Sequence, residues 1–232
     1  MEKKPKQATR SKFYTQIGAQ GWHKSGYDTF TYDSPALRRW LTAELGTTRR
    51  KILSIGCGAG ELERQLAKAG HSVTGLDLSP AMLLRAVRNG LPRVVAAEAG
   101  RLPFAPASFD TVLIMESLGY LVPDDVFREA RRVLRARGRF VITSYGPGID
   151  AHRAYHKFSA AEITAALSEA GFSADTPRNL AVKKQSVRDA APETRDTLLY
   201  FVARLIEPVR PRRAAARRSP APDAATLPAR PA

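Results

Sequence analysis

Cysteine is nearly absent: Cys57 is the only one in 232 residues. A single thiol excludes an intramolecular disulfide, a cysteine-rich zinc site and a multi-cysteine iron–sulfur cradle. It points to a reducing, cytoplasmic setting. Long apolar runs are missing too, since stretches such as Thr111–Met115 fall far short of the roughly 18 residues that a membrane-spanning helix needs. Met1–Lys12 is basic but is not followed by an apolar core, so it does not read as a secretory leader. What is present is ordinary for one soluble domain of moderate size: 44% hydrophobic and 25% charged residues.

Acidic residues are scarce relative to basic ones, 22 against 37, for a net charge of +15. A number that large raises nucleic acid or an anionic surface as a partner, but its distribution weakens that reading. Residues 1–12 and 204–232 supply nine of the fifteen charges. The organisation expected is therefore a basic flexible N-terminus over 1–12, a folded domain over 13–206 and a disordered tail over 207–232. The tail mixes Pro, Ala and Arg and holds six of the 16 prolines, too little apolar area to offset its ordering entropy. It serves either as solvated chain or as a polyanion contact.

Between the ends, short apolar runs alternate with helical patterns, the sign of an α/β fold with a doubly wound, mostly parallel sheet and helices on both faces. Lys51–Ile55, Ser72–Leu76, Arg93–Ala97, Phe109–Met115 and Arg139–Thr143 read as five strands. Leu62, Leu66 and Ala69 recur at helical spacing, with Gly70 as the stop. Ser79-Pro80 is an N-cap followed by proline in the first turn, opening a helix to about Asn89. Phe127, Ala130 and Leu134 mark a further helix closed near Gly138, and Ser159 with Glu162 forms a capping box before Ile163, Ala166, Leu167 and Ala170. Val182–Val187 and Thr197–Leu205 read as an antiparallel edge pair, because no helical pattern separates them. Ahead of the first strand, Ser34-Pro35 opens a helix through Leu37, Trp40, Leu41 and Leu45. The whole front segment, 13–46, is either a structural flap or a lid over a pocket.

The run Ile55-Gly56-Cys57-Gly58-Ala59-Gly60-Glu61 lies between the first strand and the first helix after it, where doubly wound folds bind ligands beyond the strand carboxyl ends. A dinucleotide fingerprint places glycine after Gly60 and leaves the helix N-terminus free for a pyrophosphate. Here Glu61 stands there, and a carboxylate at the positive end of the helix dipole repels phosphate. The phosphate-loop Lys and Ser/Thr are absent as well. The loop therefore favours a ligand with adenosine-like parts and no diphosphate. Asp77, at the end of the second strand, is placed to accept hydrogen bonds from two ribose hydroxyls. Glu98, at the end of the third, is placed to accept from an exocyclic amine.

These features, together with Leu102-Pro103-Phe104, Ser108-Phe109-Asp110, Arg132-Val133-Leu134 and Gly138, resemble the class I S-adenosylmethionine-dependent methyltransferases of the broad small-molecule group, with a Rossmann-like fold. The resemblance covers about residues 50–145, and 156–172 loosely. It implies S-adenosyl-L-methionine as cofactor. Gly56, Gly58 and Gly60 would pass close to its methionine part and Asp77 would hold the ribose. Leu78 and Met82 would flank the adenine, Glu98 and Ala99 would meet the amine edge, and Met115 would lie near the methionine portion. One departure stands out. Ser54, two residues before Gly56, occupies a position where the family usually carries an acid that orients the cofactor's amino group; Glu61 and Glu116 are the candidates to stand in.

The reaction implied is in-line displacement on a sulfonium methyl, in which alignment and exclusion of water carry much of the rate. An acceptor hydroxyl or acidic carbon would profit from a base; His152, His156 and Tyr145 are the candidates, beside Tyr155. Tyr27, Phe30 and Tyr32 are lid candidates whose ring faces can meet a sulfonium cation, and His23 is a further pocket candidate. Glu116-Ser117-Leu118-Gly119 stands where exocyclic-amine base methyltransferases carry N-P-P-Y or D-P-P-Y. Cys57 sits in the glycine loop, away from where a covalent pyrimidine route needs its nucleophile. No metal-ligand set is recognisable. A small organic molecule methylated on O or C is the leading expectation. The rivals are an RNA or protein substrate held by Arg128, Arg131, Arg132, Arg135, Arg137 and Arg139, a scaffold that binds cofactor without transferring methyl, and a nicotinamide dehydrogenase.

Overall fold

The structure, a computed structural model, describes residues 35–145, 155–181 and 197–206. The expectations for the two termini, for His23, Tyr27, Phe30, Tyr32 and His152, and for a strand over Val182–Val187 lie outside the described residues. Within them the chain forms helix α1 (Pro35–Leu45), β1 (Lys51–Ile55), α2 (Glu61–Lys68), β2 (Ser72–Asp77), α3 (Pro80–Arg88), β3 (Val94–Ala96) and β4 (Phe109–Met115). A short 3-10 turn at Leu118–Tyr120 leads to α4 (Pro123–Val133), β5 (Leu134–Tyr145), α5 (Ala160–Glu169), β6 (Phe172–Ala174), β7 (Arg178–Ala181) and β8 (Thr197–Leu205).

The strands form one eight-stranded sheet in the order β3-β2-β1-β4-β5-β8-β6, with β7 also paired to β8. β3, β2, β1, β4 and β5 are mutually parallel, while β8 runs antiparallel to β5, β6 and β7. The expected doubly wound, mostly parallel sheet with an antiparallel edge is thus present. The chain leaves β1 toward β2 on one side and returns to β4 on the other, so the strand order reverses between β1 and β4. The crevice beyond their carboxyl ends is the place where such sheets hold ligands.

Alternation along the strands divides the core. Val112 and Ile114 of β4 join Leu53 and Ile55 of β1, Phe140 and Ile142 of β5 and Phe201 of β8 beneath α4 and α5. Leu113 and Met115 join Ile52, Val73 and Val141 beneath α1, α2 and α3. Val126, Phe127, Ala130 and Val133 form the buried stripe of α4, with Phe127 edge-on to Phe140 at 5.3 Å between ring centroids. Each large side chain buried here contributes about 1.5–3 kcal/mol.

Local signals work as read at two caps. Ser79 Oγ accepts from the Met82 N–H with Pro80 in the first turn of α3, and Ser159 with Glu162 makes a reciprocal capping box on α5. Two boundaries differ from expectation. Helix α4 stops at Val133, well short of Gly138, and β5 starts at Leu134 instead of Arg139. Leu134 pairs with Phe109 across a register irregularity before Arg139 meets Thr111, and Arg137 adopts φ 61°. Cross-strand pairing to β4 thus overrides a helical pattern that continued through Leu134. The short strand β6 has no sequence signal beyond its pairing with β8.

Candidate functional site

The glycine loop leaves β1 at Ile55, and Gly56, Gly58 and Gly60 all take positive φ, 72°, 53° and 74°. Glycine adopts that left-handed region without a Cβ penalty. At Gly56 the requirement is double, because a Cβ there would lie 2.6 Å from both Cβ and Oγ of Ser117. The Gly56 and Cys57 N–H groups donate to the Leu76 carbonyl at 2.7 and 3.0 Å, and Asn89 Nδ2 donates to the Ala59 carbonyl at 2.9 Å. The loop is therefore clamped between β2 and the end of α3.

Asp77 closes it. One carboxylate oxygen accepts from the Gly58 N–H at 2.9 Å and the other from the Ser79 N–H at 2.9 Å. Burial raises its pKa, while these N–H bonds pull the other way. Leu78 is half-buried and Met82 buried at the head of α3. Glu98 is exposed beyond β3, with its backbone carbonyl accepting from the Arg101 N–H, and Ala99 is half-buried beside it. Met115 is buried at the end of β4 in the core under α1–α3.

Beneath the loop lies a carboxylate that the sequence reading passed over. Glu63 of α2 is 3% exposed, and Ser54 Oγ donates to its Oε1 at 2.6 Å. Ser54 faces α2 because it shares the side of β1 with Ile52. Burial pushes the Glu63 carboxyl up to about 7, against the Ser54 hydrogen bond, with Glu61 and Asp77 adding repulsion. The departure at Ser54 is thus met in space by an acid on the adjacent helix. Of the two stand-ins expected, Glu61 is exposed and Glu116 is buried. The signal for Glu63 was its place on the apolar face of α2, three residues before Leu66. Cys57, whose thiol burial pushes up, packs where a Cβ on Gly75 would stand, 2.7 Å from its Sγ.

The opposite wall of the crevice follows β4. Glu116 has φ 57° and is 5% exposed. Its Oε2 accepts from the Tyr145 hydroxyl at 2.5 Å, while its Oε1 is buried with no hydrogen-bond partner. Burial pushes this carboxyl up to about 8, opposed by the Tyr145 bond. Ser117 Oγ donates to the Ile55 carbonyl at 3.0 Å, tying this wall to β1. Tyr155, buried, shares a hydrogen bond with Ser144 Oγ at 3.0 Å and accepts from the Tyr145 N–H at 3.3 Å. Gly119 is confined by Tyr155 and the His156 carbonyl. His156 is exposed, its N–H donating to the Gly119 carbonyl at 2.9 Å and its ring 4.4 Å from that of Phe158. The structure therefore joins Tyr145, Tyr155 and Glu116 and sets His156 on the outer side of the same turn.

The arginine track resolves largely into local pairing. Arg128 pairs with Asp125 at 3.0 Å, Arg132 with Glu129 at 2.7 Å and Arg135 with Asp110 at 2.6 Å, and Arg131 donates to the Ala170 carbonyl at 3.1 Å. Among the described residues no group of three or more His, Cys, Asp or Glu is arranged to hold a metal ion, and no helix is long and apolar enough to cross a membrane.

Comparison with known proteins agrees with the fold. Residues 53–142 match the family model described as a methyltransferase domain. A ubiquinone biosynthesis O-methyltransferase of Pseudomonas aeruginosa is 31% identical over 140 residues, 56% of this chain and 60% of that protein. A demethylmenaquinone methyltransferase of Tropheryma whipplei is 35% identical over 114 residues, 47% of each chain. This chain thus spans less than two thirds of the length of either relative. Among solved structures, the 1,6-didemethyltoxoflavin-N1-methyltransferase of Burkholderia thailandensis, with 1,6-didemethyltoxoflavin and S-adenosylhomocysteine bound, superposes with a TM-score of 0.64 at 24% identity, over 88% of this chain and 93% of that one. The matched stretch runs from β1 to β5, and the sheet there has the Rossmann-like fold of the S-adenosylmethionine-dependent methyltransferases it resembles.

Proposed function

We propose that the protein transfers a methyl group from S-adenosyl-L-methionine to an oxygen or carbon of a small, aromatic or quinol-like acceptor. The observation that carries this reading lies at the carboxyl ends of β1 and β4: a three-glycine loop whose Gly58 N–H donates to Asp77, tied to β4 through Ser117. Two of the relatives are named for methylation in quinone biosynthesis, which supports the acceptor class.

The residues present fit such a cofactor. Backbone at Gly56, Gly58 and Gly60 lets a ligand approach without a Cβ in the way, and Glu61 disfavours a diphosphate in its place. Asp77 would hold a ribose diol, exchanging loop N–H partners for ribose hydroxyls or sharing its remaining lone pairs with them. Leu78 and Met82 would flank the adenine, Glu98 and Ala99 its amine edge, and Met115 the methionine portion. The cofactor, when bound, supplies an activated methyl group on a sulfonium. The protein's part is to align the acceptor, exclude water and take a proton where the acceptor has one to lose. Of the base candidates, Tyr145 is favoured over His156, because its hydroxyl touches a buried carboxyl at the crevice. The pairing of the arginines disfavours the nucleic-acid reading.

Calorimetry with S-adenosylhomocysteine and, in parallel, NADH tests the cofactor. Transfer of isotopically labelled methyl groups to a panel of catechols and quinols tests the acceptor. Binding of S-adenosylhomocysteine alone, with label appearing in a catechol or quinol, is the expected result. NADH binding without S-adenosylhomocysteine binding contradicts the proposal.

A further inference from the structure

The parallel strands bring their first residues to one end of the sheet, away from the crevice. Lys51 stands level with Ser72, its N–H donates to Asp110 at 2.7 Å, and Arg139 is paired with Thr111 on one side and Arg204 on the other. Arg93, just before β3, reaches the same end, its guanidinium donating to Ser72 Oγ at 2.7 Å. Arg49 and Arg50 precede β1, and Arg135 and Arg137 lie in the first turns of chain along β5. Residues distant in sequence thus form one basic row from β3 to β8, about 24 Å long at the usual strand spacing. The acids that meet it are Asp110, paired with Arg135 at 2.6 Å, Asp175, paired with Arg204 at 3.0 Å, and Glu44 near Arg139; cations outnumber them. Arg139 and Arg204 stand directly opposite each other across an antiparallel pair, where like charges repel, and Arg50 adds to that repulsion. Arg49, Lys51, Arg135, Arg137 and Arg204 are exposed.

We infer that this row docks on the phosphate backbone of a double-stranded nucleic acid, as a tether and not as a methyl acceptor. Apart from Lys51 its cations are arginines, whose planar guanidinium fork matches a phosphate. The row consists of cations, and the ring beneath Lys51, Phe109, is buried, so it offers no exposed ring face on which an unpaired base could stack. A duplex, with its bases already stacked and its phosphates outward, suits it. An anionic membrane suits it less, because docking there gains from apolar side chains beside the cations. Among the described residues Ile206 is the one exposed large hydrophobic at these strand ends. The chain continues from that same end with six further arginines in 207–232. The crevice lies at the other end of the strands, so docking leaves it free, and the inference does not rest on the cofactor reading.

The test titrates the full chain against a labelled duplex of roughly 20 base pairs as salt rises from about 50 to about 200 mM. Phosphatidylglycerol vesicles and polyglutamate are titrated in parallel. The triple variant Arg49→Gln, Arg137→Gln, Arg204→Gln should bind the duplex roughly 10-fold or more weakly at the lowest salt, with a salt slope smaller by about three contacts. A second triple variant, Arg39→Gln, Arg101→Gln, Arg128→Gln, removes the same charge from exposed positions outside the row and should stay within about twofold of the wild type. Equal losses in the two variants overturn the inference. So does a wild type that fails to bind the duplex, or that binds vesicles or polyglutamate as tightly. A cooperative thermal melt checks that the first variant folds. Arg49→Gln alone, in the exposed connection before β1, should lower the salt slope by about one, and an unchanged slope there also overturns the inference.

Discussion

The Ser54 hydroxyl donates to Glu63 Oε1 at 2.6 Å, across the interface between β1 and α2. Both groups are buried, and the hydroxyl supplies the carboxyl's side-chain donor beside a backbone N–H. Ser54→Ala leaves the carboxyl with one donor fewer in an apolar surrounding. The expected loss is about 1–3 kcal/mol of stability, read from urea denaturation. A Ser54→Ala protein as stable as the wild type contradicts this account of the pair.

Stability should fall as pH rises from about 5 to about 8.5. Glu63 and Glu116 have folded pKa values of about 7 and about 8 against an ordinary 4.5. Below 4.5 both are protonated folded and unfolded, and their effect is nil. Above it the unfolded chain gives up these protons first, so stability declines until the folded pKa values are passed. The combined loss is on the order of a few kcal/mol. Asp110, Glu129 and Glu162 have lowered values and act oppositely, weakening the fold only as pH drops through and below their ordinary range. Denaturation midpoints at pH 5 and pH 8.5 measure the difference, and Glu63→Gln should shrink it. A midpoint higher at pH 8.5 has the wrong sign.

Asp77→Ala should abolish S-adenosylhomocysteine binding while the protein still unfolds cooperatively. The lost carboxylate leaves the Gly58 and Ser79 N–H groups without their acceptor, which loosens the loop and not the sheet. Calorimetry beside a thermal melt separates the two effects. Retained cofactor affinity contradicts the assignment of Asp77.

Gly56→Ala places a methyl group against the Ser117 side chain at a φ of 72°. Steric overlap and left-handed strain add, and the expected cost is about 1–3 kcal/mol or more. Gly46→Ala is the control, since φ is 69° there but nothing lies within 4 Å. A smaller loss at Gly56 than at Gly46 contradicts the close packing of the loop on β4.

Arg132 is expected to act structurally. Its guanidinium donates to Glu129 and to the carbonyls of Phe104 and Leu102, fixing the loop before β4 onto α4. Arg132→Ala should lower stability by about 1–2 kcal/mol and leave methyl transfer insensitive to salt. Activity that falls steeply between 50 and 200 mM salt points instead to a polyanionic substrate.

The order of strands and helices was legible from residue types alone. Apolar runs beside helical periodicity require a covered parallel sheet, and the caps at Ser79 and Ser159 are local chemistry that needs no tertiary partner. The shape of the glycine loop and the place of Asp77 were legible because they depend on sequence neighbours: the φ values of three glycines and a carboxylate at a strand end. Glu63, the orphaned oxygen of Glu116 and the start of β5 were not. Each arises where segments far apart in sequence meet: Ser54 reaches Glu63 across a strand–helix contact, Tyr145 reaches Glu116 from the next strand, and Phe109 draws Leu134 into the sheet. Sequence determined the scaffold and the loop because backbone conformation and hydrophobic pattern are local. Only the folded chain decided which carboxyls lose their water, since desolvation depends on what the rest of the molecule packs around them.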